Sequence, residues 1–179
     1  VVIADDQSYI HSAAYGCRGL NTPHSDRLAR EGLRFTNASS CGAMCTVSRA
    51  ALLTGRNIWQ NREAGTHWAN FPRDLTVYPD LLEAAGYLVG YTGKGWGPGE
   101  WKVTGWPRNP AGPEFNRIKL DRTPASGISN LDYAANFADF LKRRQSGQPF
   151  CFWFGASEPH DPREKGAGRR AGKKFEDVT

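Results

Sequence analysis

The chain has 179 residues, 39% of them hydrophobic and 23% charged, with a net charge of +5. That length suits one domain with a real core, and the composition excludes a disordered or collagen-like chain. No apolar run approaches the ~20 residues of a membrane helix; the longest, Pro149-Phe150-Cys151-Phe152-Trp153-Phe154, is far too short, so no membrane span is expected.

The chain opens on Val1-Val2-Ile3-Ala4, which reads as a short buried strand ending at Asp5-Asp6. It has no lead-in, and it closes without a stop signal, so it reads as an excerpt. Thr22 is a plausible cap and Pro23 suits a first helical position. A helix over 24–31 follows, with Leu28 inward and Gly32 as a left-handed stop. Residues 33–38 are expected to form a short strand. A second helix is expected over 45–54, with Val47, Ala50, Ala51 and Leu53 apolar and Gly55 at its end. Pro79 opens a third helix over 80–85, stopped by Gly86. Residues 87–92 form a strand candidate, and the glycines over 93–99 dictate a loop. The Pro- and Gly-rich stretch 96–127 reads as a long surface excursion.

Leu131, Ala134, Ala138 and Leu141 recur at helical spacing, which predicts a helix over 131–144. The unbroken apolar run 150–156 reads as a strand buried on both faces of a parallel sheet. Strands alternating with helices define an α/β sandwich with right-handed crossovers. Between Arg163 and Lys174 stand Arg163, Lys165, Arg169, Arg170, Lys173 and Lys174 against Glu164. Such a run is either a solvated loop or a surface for an anionic ligand. No nucleic-acid motif accompanies it, so no nucleic acid is expected. The four cysteines, Cys17, Cys41, Cys45 and Cys151, form no CxxC pair, which argues against structural zinc. Pairing or metal binding by Cys41 and Cys45 stays open, and Cys151 reads as a small core residue.

Four places can carry chemistry. Asp5 and Asp6 follow the first strand, where open α/β sheets place their ligands. Adjacent carboxylates repel unless a cation neutralises them, and hard cations such as Ca²⁺ prefer oxygen donors. Cys45 starts a helix, where the dipole and N–H groups favour an anion. Arg49 lies one turn on and reaches the same side. Lys94 ends the 87–92 strand, and His160 lies in the turn after 150–156. In a parallel sheet these strand ends share one edge, the usual shape of an active site. Each residue alone also has a bland reading, as a cap, a buried thiol or a solvated charge.

Taken in order, these segments resemble the type I, formylglycine-dependent sulfatases of the alkaline-phosphatase-like superfamily. Val2-Ile3-Ala4-Asp5-Asp6-Gln7 is similar to that family's first strand and acid pair. Asn21-Thr22-Pro23-His24-Ser25-Asp26-Arg27-Leu28-Ala29 resembles its NTPNLDRLA helix. Cys45-Thr46-Val47-Ser48-Arg49, continued by Ala50-Ala51-Leu52-Leu53-Thr54-Gly55-Arg56, resembles its signature, the most specific of the matches. Gly86-Tyr87 through Thr92-Gly93-Lys94 resembles its lysine strand, and Glu158-Pro159-His160-Asp161-Pro162 its PHxP turn. The nearest look is to glycan sulfatases, including heparan N-sulfatase-like enzymes.

The resemblance implies an alkaline-phosphatase-like sandwich, incomplete here, with residues 1–179 as the N-terminal part of a sulfatase catalytic domain. It implies release of inorganic sulfate from a sulfuric ester or sulfamate, with a sulfated small molecule or glycan as substrate. Cys45 would be oxidised to formylglycine by a maturation enzyme, and a hydroxyl of the hydrated aldehyde would attack sulfur. Asp5, Asp6 and modified Cys45 would hold Ca²⁺. Arg49 would hold the formylglycine, Lys94 would contact the sulfate, and His160 would contact the sulfate or assist the leaving group. The compartment implied is periplasmic, secreted or lysosomal. Three departures stand out. Val47 replaces the signature's proline, Trp96 replaces a histidine two residues beyond the lysine, and the family's remaining metal ligands lie further along its chains. The isolated stretch is therefore expected to be inactive. His67 is a candidate substitute for the missing histidine. A non-catalytic glycan-binding relative and a phosphoester or phosphonate hydrolase of the same superfamily remain the alternatives.

Overall fold

The computed structural model describes residues 1–123, 127–160, 165–170, 172, 174 and 176. They fall into two compact units. The first comprises Val1–Asp5, Ser40–Arg122 and Asn130–Ser157, and the second Asp6–Ser39, Thr123–Ser129 and Glu158–Thr179.

The first unit is built on a three-stranded parallel sheet of β1 (Val2–Ala4), β2 (Leu88–Gly93) and β3 (Phe150–Ala156), in the order β1-β3-β2. Val2 stands opposite Phe154 on one side of β3, and Thr92 stands opposite the same residue on the other. The central position of β3 follows from its unbroken apolar sequence, since a central strand buries both faces. Trp153, Tyr91 and Ile3 face a core shared with Ala50, Leu53, Phe71 and Val77. Phe152, Phe154 and Leu88 face a second core with Phe115, Phe137 and Phe140. The helix Cys45–Thr54 (α2) covers the first face, and Tyr133–Lys142 (α4) covers the second. Tyr78–Ala84 (α3) leads into β2. The second unit contains Pro23–Glu31 (α1) and the single turn Ala167–Arg170 (α5).

The helix 45–54 and the strand 150–156 fall where the sequence places them, and Gly55 closes α2 in the left-handed conformation at φ 66°. Other expectations need correction. Among the described residues β1 is an edge strand, not a buried one: β3 alone flanks it, and Val2 is 76% exposed. Leu28 does not face inward; it is 69% exposed. Gly32 ends α1 in an extended conformation, φ −116°, where a Cβ would come within 2.9 Å of the Leu28 carbonyl oxygen. Residues 33–38 form no strand, and Leu33 and Phe35 are exposed. α4 buries Asn136 and Phe140, while Ala134 and Ala138 face solvent. Its aromatic side chains, not its alanines, reach the sheet.

The largest correction concerns 96–127. Its first part contributes to the core, with Trp96, Trp106, Ala111 and Phe115 each no more than 4% exposed, while residues 117–119 and 121–123 lie at the surface as expected. It lacks helix or strand periodicity because its apolar side chains fill gaps one at a time between regular elements. All four cysteines are free. Asp161, Pro162, Arg163 and Lys173 lie outside the described residues, and Lys165, Arg169 and Arg170 are exposed.

Phe140 meets Phe115, Phe137, Phe150 and Phe152 within 6.1 Å between ring centroids and is fully buried. Truncation to alanine leaves a cavity, so Phe140→Ala in the full-length protein is expected to cost about 3–5 kcal/mol in denaturant unfolding. A loss below about 1 kcal/mol would show that this aromatic layer does not hold α4 to the sheet.

Candidate functional site

β1, β2 and β3 run parallel, so Asp5 and Lys94 leave the sheet at the same edge. Cys45 starts α2, with its first intrahelical bond running from the Ser48 N–H to the Met44 carbonyl. The N–H groups of Cys45, Thr46 and Val47 precede that bond and point from the helix start. Val47 therefore keeps an N–H at a position where proline has none.

Around this edge the first unit gathers four of the expected residues. Asp5 is 5% exposed. Its Oδ1 accepts a 3.0 Å bond from the Arg49 guanidinium, and its Oδ2 accepts a 2.7 Å bond from Lys94 Nζ. The Cys45 thiol lies 3.7 Å from the same Oδ1. Burial on its own would raise the Asp5 pKa, but the hydrogen bonds and charges of Lys94 and Arg49 prevail and hold it below the ordinary carboxylate value. One buried carboxylate against two cations leaves one net positive charge beside the thiol. That balance suits an anion arriving at the helix start.

Arg49 is itself buried and fully committed. Besides Asp5, its Nη1 donates to the carbonyls of Lys94 at 2.6 Å and Gly95 at 2.9 Å, and its plane lies 5.9 Å from the Trp153 ring centre. It thus ties β1's end, α2 and the loop after β2 together.

Two asparagines that sequence reading overlooked clamp this loop. The Asn116 side chain accepts from the Gly93 N–H at 2.7 Å and donates back to the Gly93 carbonyl. Asn109 accepts from the Trp96 N–H at 2.9 Å and donates back to the Trp96 carbonyl. Lys94 lies between the two clamps. The Asn109-Pro110 pair is a turn signal, but nothing in its sequence says which loop it holds. Gly93, at φ +76°, and Gly155 pack so closely that a Cβ on either meets backbone near 2 Å.

Trp96 occupies the histidine position of the resemblance without exposing its ring. It is 3% exposed, donates its ring N–H to the Thr46 carbonyl at 3.1 Å and packs edge-on against Phe71. His67, the candidate substitute, lies 3.3 Å from the Thr46 hydroxyl, one residue from Cys45. In the second unit, Asp6 adopts φ 59°, and its Oδ2 lies 3.6 Å from His160 Nε2.

A parallel sheet covered by helices, with a carboxylate, two cations and a thiol-bearing helix start at its carboxyl edge, defines an α/β protein built to meet an anion. The sulfatase family model matches residues 1–177, and the chain belongs to that family. It is 29% identical over 172 residues to an N-acetylglucosamine-6-O-sulfatase of Bacteroides thetaiotaomicron, covering 89% of this chain and 30% of that protein. It is 28% identical to the human N-acetylgalactosamine-6-sulfatase, covering 90% and 39%. Bovine arylsulfatase A is 38% identical over 99 residues, covering 52% and 20%. The chain thus spans under two fifths of the length of these relatives. The solved structure of BT4656 with its substrate D-glucosamine-2-N,6-O-disulfate matches at a TM-score of 0.64 and 24% identity, over 89% of this chain and 34% of that one. The expected alkaline-phosphatase-like α/β architecture is the fold of this chain. Among the described residues, no helix is long and apolar enough to cross a membrane.

Removing Arg49 takes one donor from the buried Asp5 carboxylate and one from each of the Lys94 and Gly95 carbonyls. Arg49→Met in the full-length protein is expected to lose about 3–5 kcal/mol of stability by urea titration. Asn109→Ala is expected to lose about 1–3 kcal/mol by the same measurement, because it strands the Trp96 N–H and carbonyl. Unchanged midpoints would mean that the loop carrying Lys94 is held by other contacts.

Proposed function

We propose that the full-length protein is a sulfuric ester hydrolase that releases inorganic sulfate from a sulfated glycan, and that residues 1–179 are the N-terminal part of its catalytic domain. The observation that carries this reading is the Cys45 thiol, 3.7 Å from Asp5 at a helix start, where one buried carboxylate meets two cations. Membership of the sulfatase family supports it. The glycan class is supported by the names of the two 6-sulfatases to which the chain is similar.

A calcium ion fits the donor set. Asp5 and Asp6 offer carboxylate oxygens, the donors this cation prefers. The Asp5 Oδ2 already draws in a cation, the Lys94 ammonium. A thiol is a soft donor, so Cys45 suits calcium only in its oxygen-bearing formylglycine form. When present, the ion would supply charge neutralisation and the formylglycine a hydroxyl nucleophile.

The chain's own residues do the rest. The start of α2 presents N–H groups toward the sulfate oxygens, where charge builds as the ester bond breaks. Lys94, partly exposed at its tip, contacts the sulfate. Arg49 fixes Asp5 and the Lys94 loop from behind, so its role is positioning. Trp96 and Thr46 lock the first turn of α2 to the core. His160 protonates or steers the departing alcohol oxygen, with Asp6 orienting its ring. Sulfamate cleavage and phosphoester cleavage are the competing chemistries. The exposed basic residues Lys165, Arg169 and Arg170 would draw in an anionic glycan.

Two measurements test the reading on the full-length protein. Trypsin releases residues 35–49, and mass spectrometry is expected to show the CH₂–SH of Cys45 replaced by an aldehyde. An intact thiol, in a host with active maturation machinery, would show that Val47 blocks conversion and would favour a non-catalytic glycan-binding protein. Chelation with EGTA is expected to abolish release of sulfate from 4-nitrophenyl sulfate, and added Ca²⁺ to restore it. Faster turnover of 4-nitrophenyl phosphate would overturn the sulfatase assignment.

A further inference from the structure

The segment between α2 and α3 carries two non-glycine residues with left-handed backbone, Arg62 at φ 49° and Trp68 at φ 57°. Bulky side chains avoid that region, and strain of this kind persists where the surrounding structure enforces it, often at ligand sites. Both residues line one open depression of about 570 Å³ with Glu63, Thr66, Ala69 and Asn70. The Trp68 indole is 74% exposed at its wall. A tryptophan in the core, such as Trp153 at 1%, needs no ligand to explain it, whereas Trp68 shows most of its ring to water.

Side-chain contacts link one wall of the depression to the start of α2. Trp68 packs edge-on against His67, with ring centres 5.7 Å apart. His67 meets the Thr46 hydroxyl, and Thr46 follows Cys45. Arg62, whose guanidinium pairs with Asp74, and Glu63 are among the polar residues that line the depression. A flat aromatic face rimmed by amide, hydroxyl and charged groups is the chemistry that takes a sugar ring. The apolar C–H face stacks on the indole, and the hydroxyls meet the polar rim.

We infer that Trp68 and this depression form a glycan subsite, which binds a sugar residue next to the one whose sulfate is removed. The inference rests on the glycan reading above and adds to it a substrate longer than a monosaccharide.

The test uses the full-length protein with Cys45→Ser, so that binding is read without turnover. The probes are N-acetylglucosamine 6-sulfate and size-defined tetrasaccharides of heparan sulfate and of chondroitin sulfate. Calorimetry is expected to show at least one tetrasaccharide binding about tenfold more tightly than the monosaccharide. Trp68→Gly, which suits the left-handed backbone, is expected to erase that gain, and Trp68→Phe to keep most of it. Monosaccharide affinity and the melting temperature are expected to stay unchanged in both. No gain with chain length for either glycan, or a gain that survives Trp68→Gly, overturns the subsite. Length-dependent binding through Trp68 in a protein whose wild-type form releases no sulfate would keep the subsite and sink the hydrolase reading instead.

Discussion

The Arg49 guanidinium is the contact on which the arrangement at the sheet edge depends. Asp5 follows an edge strand only three residues long, and Lys94 sits on a loop with no regular structure of its own. Neither segment is rigid by itself. The planar fork of one arginine bonds a carboxylate after β1 and two successive carbonyls after β2. A lysine at position 49 would bring the same charge but not three directed donors. The fork therefore turns three separate chain segments into one constellation. Its burial makes the arrangement costly to break, since each freed partner would be a polar group without water.

The rest of the first unit keeps that fork in place. α2 must present Arg49 inward, which its pattern of Thr46, Val47, Arg49, Ala50 and Leu53 on the buried side achieves. Trp96 and Trp153 then close the site from the core side, each with its ring N–H on a backbone carbonyl of the site. Asn109 and Asn116 hold both ends of the Lys94 loop by paired amide bonds. The same buried network that rigidifies the loop leaves Lys94 partly exposed while it pairs with Asp5, so an accessible charge is carried on a fixed backbone.

Much of this was legible in the sequence, for identifiable reasons. α2 and β3 carry strong local signals: an apolar stripe closed by a glycine, and an unbroken apolar run. Asp5, Cys45, Arg49 and Lys94 were legible because parallel strands bring their carboxyl ends to one edge. What escaped was whatever depends on partners distant in sequence. The stretch 96–127 looked like surface because its prolines and glycines mask side chains that pack singly. Leu28 looked inward because helical spacing alone cannot say whether a partner face exists. The alanines of α4 fit the helical period as well as its phenylalanines do, and only the width of the gap to the sheet selects the larger rings.

Where the resemblance to sulfatases would put a histidine, this chain carries Trp96, whose chemistry differs in kind. A histidine there would carry a titratable group near the sulfate, whereas tryptophan's large apolar body draws it into the core beside Phe71. Its single donor is then spent on the Thr46 carbonyl, which stiffens the first turn of α2. The polar function that the position loses has to come from elsewhere. His67, 3.3 Å from the Thr46 hydroxyl, sets an imidazole beside the same turn, and under the proposed function it is the candidate to share it. Trp68, next in the chain, then puts an aromatic face at the mouth. Under the proposed function, His67 and Trp68 would join reaction chemistry and sugar recognition in two consecutive residues, the second of them held at positive φ.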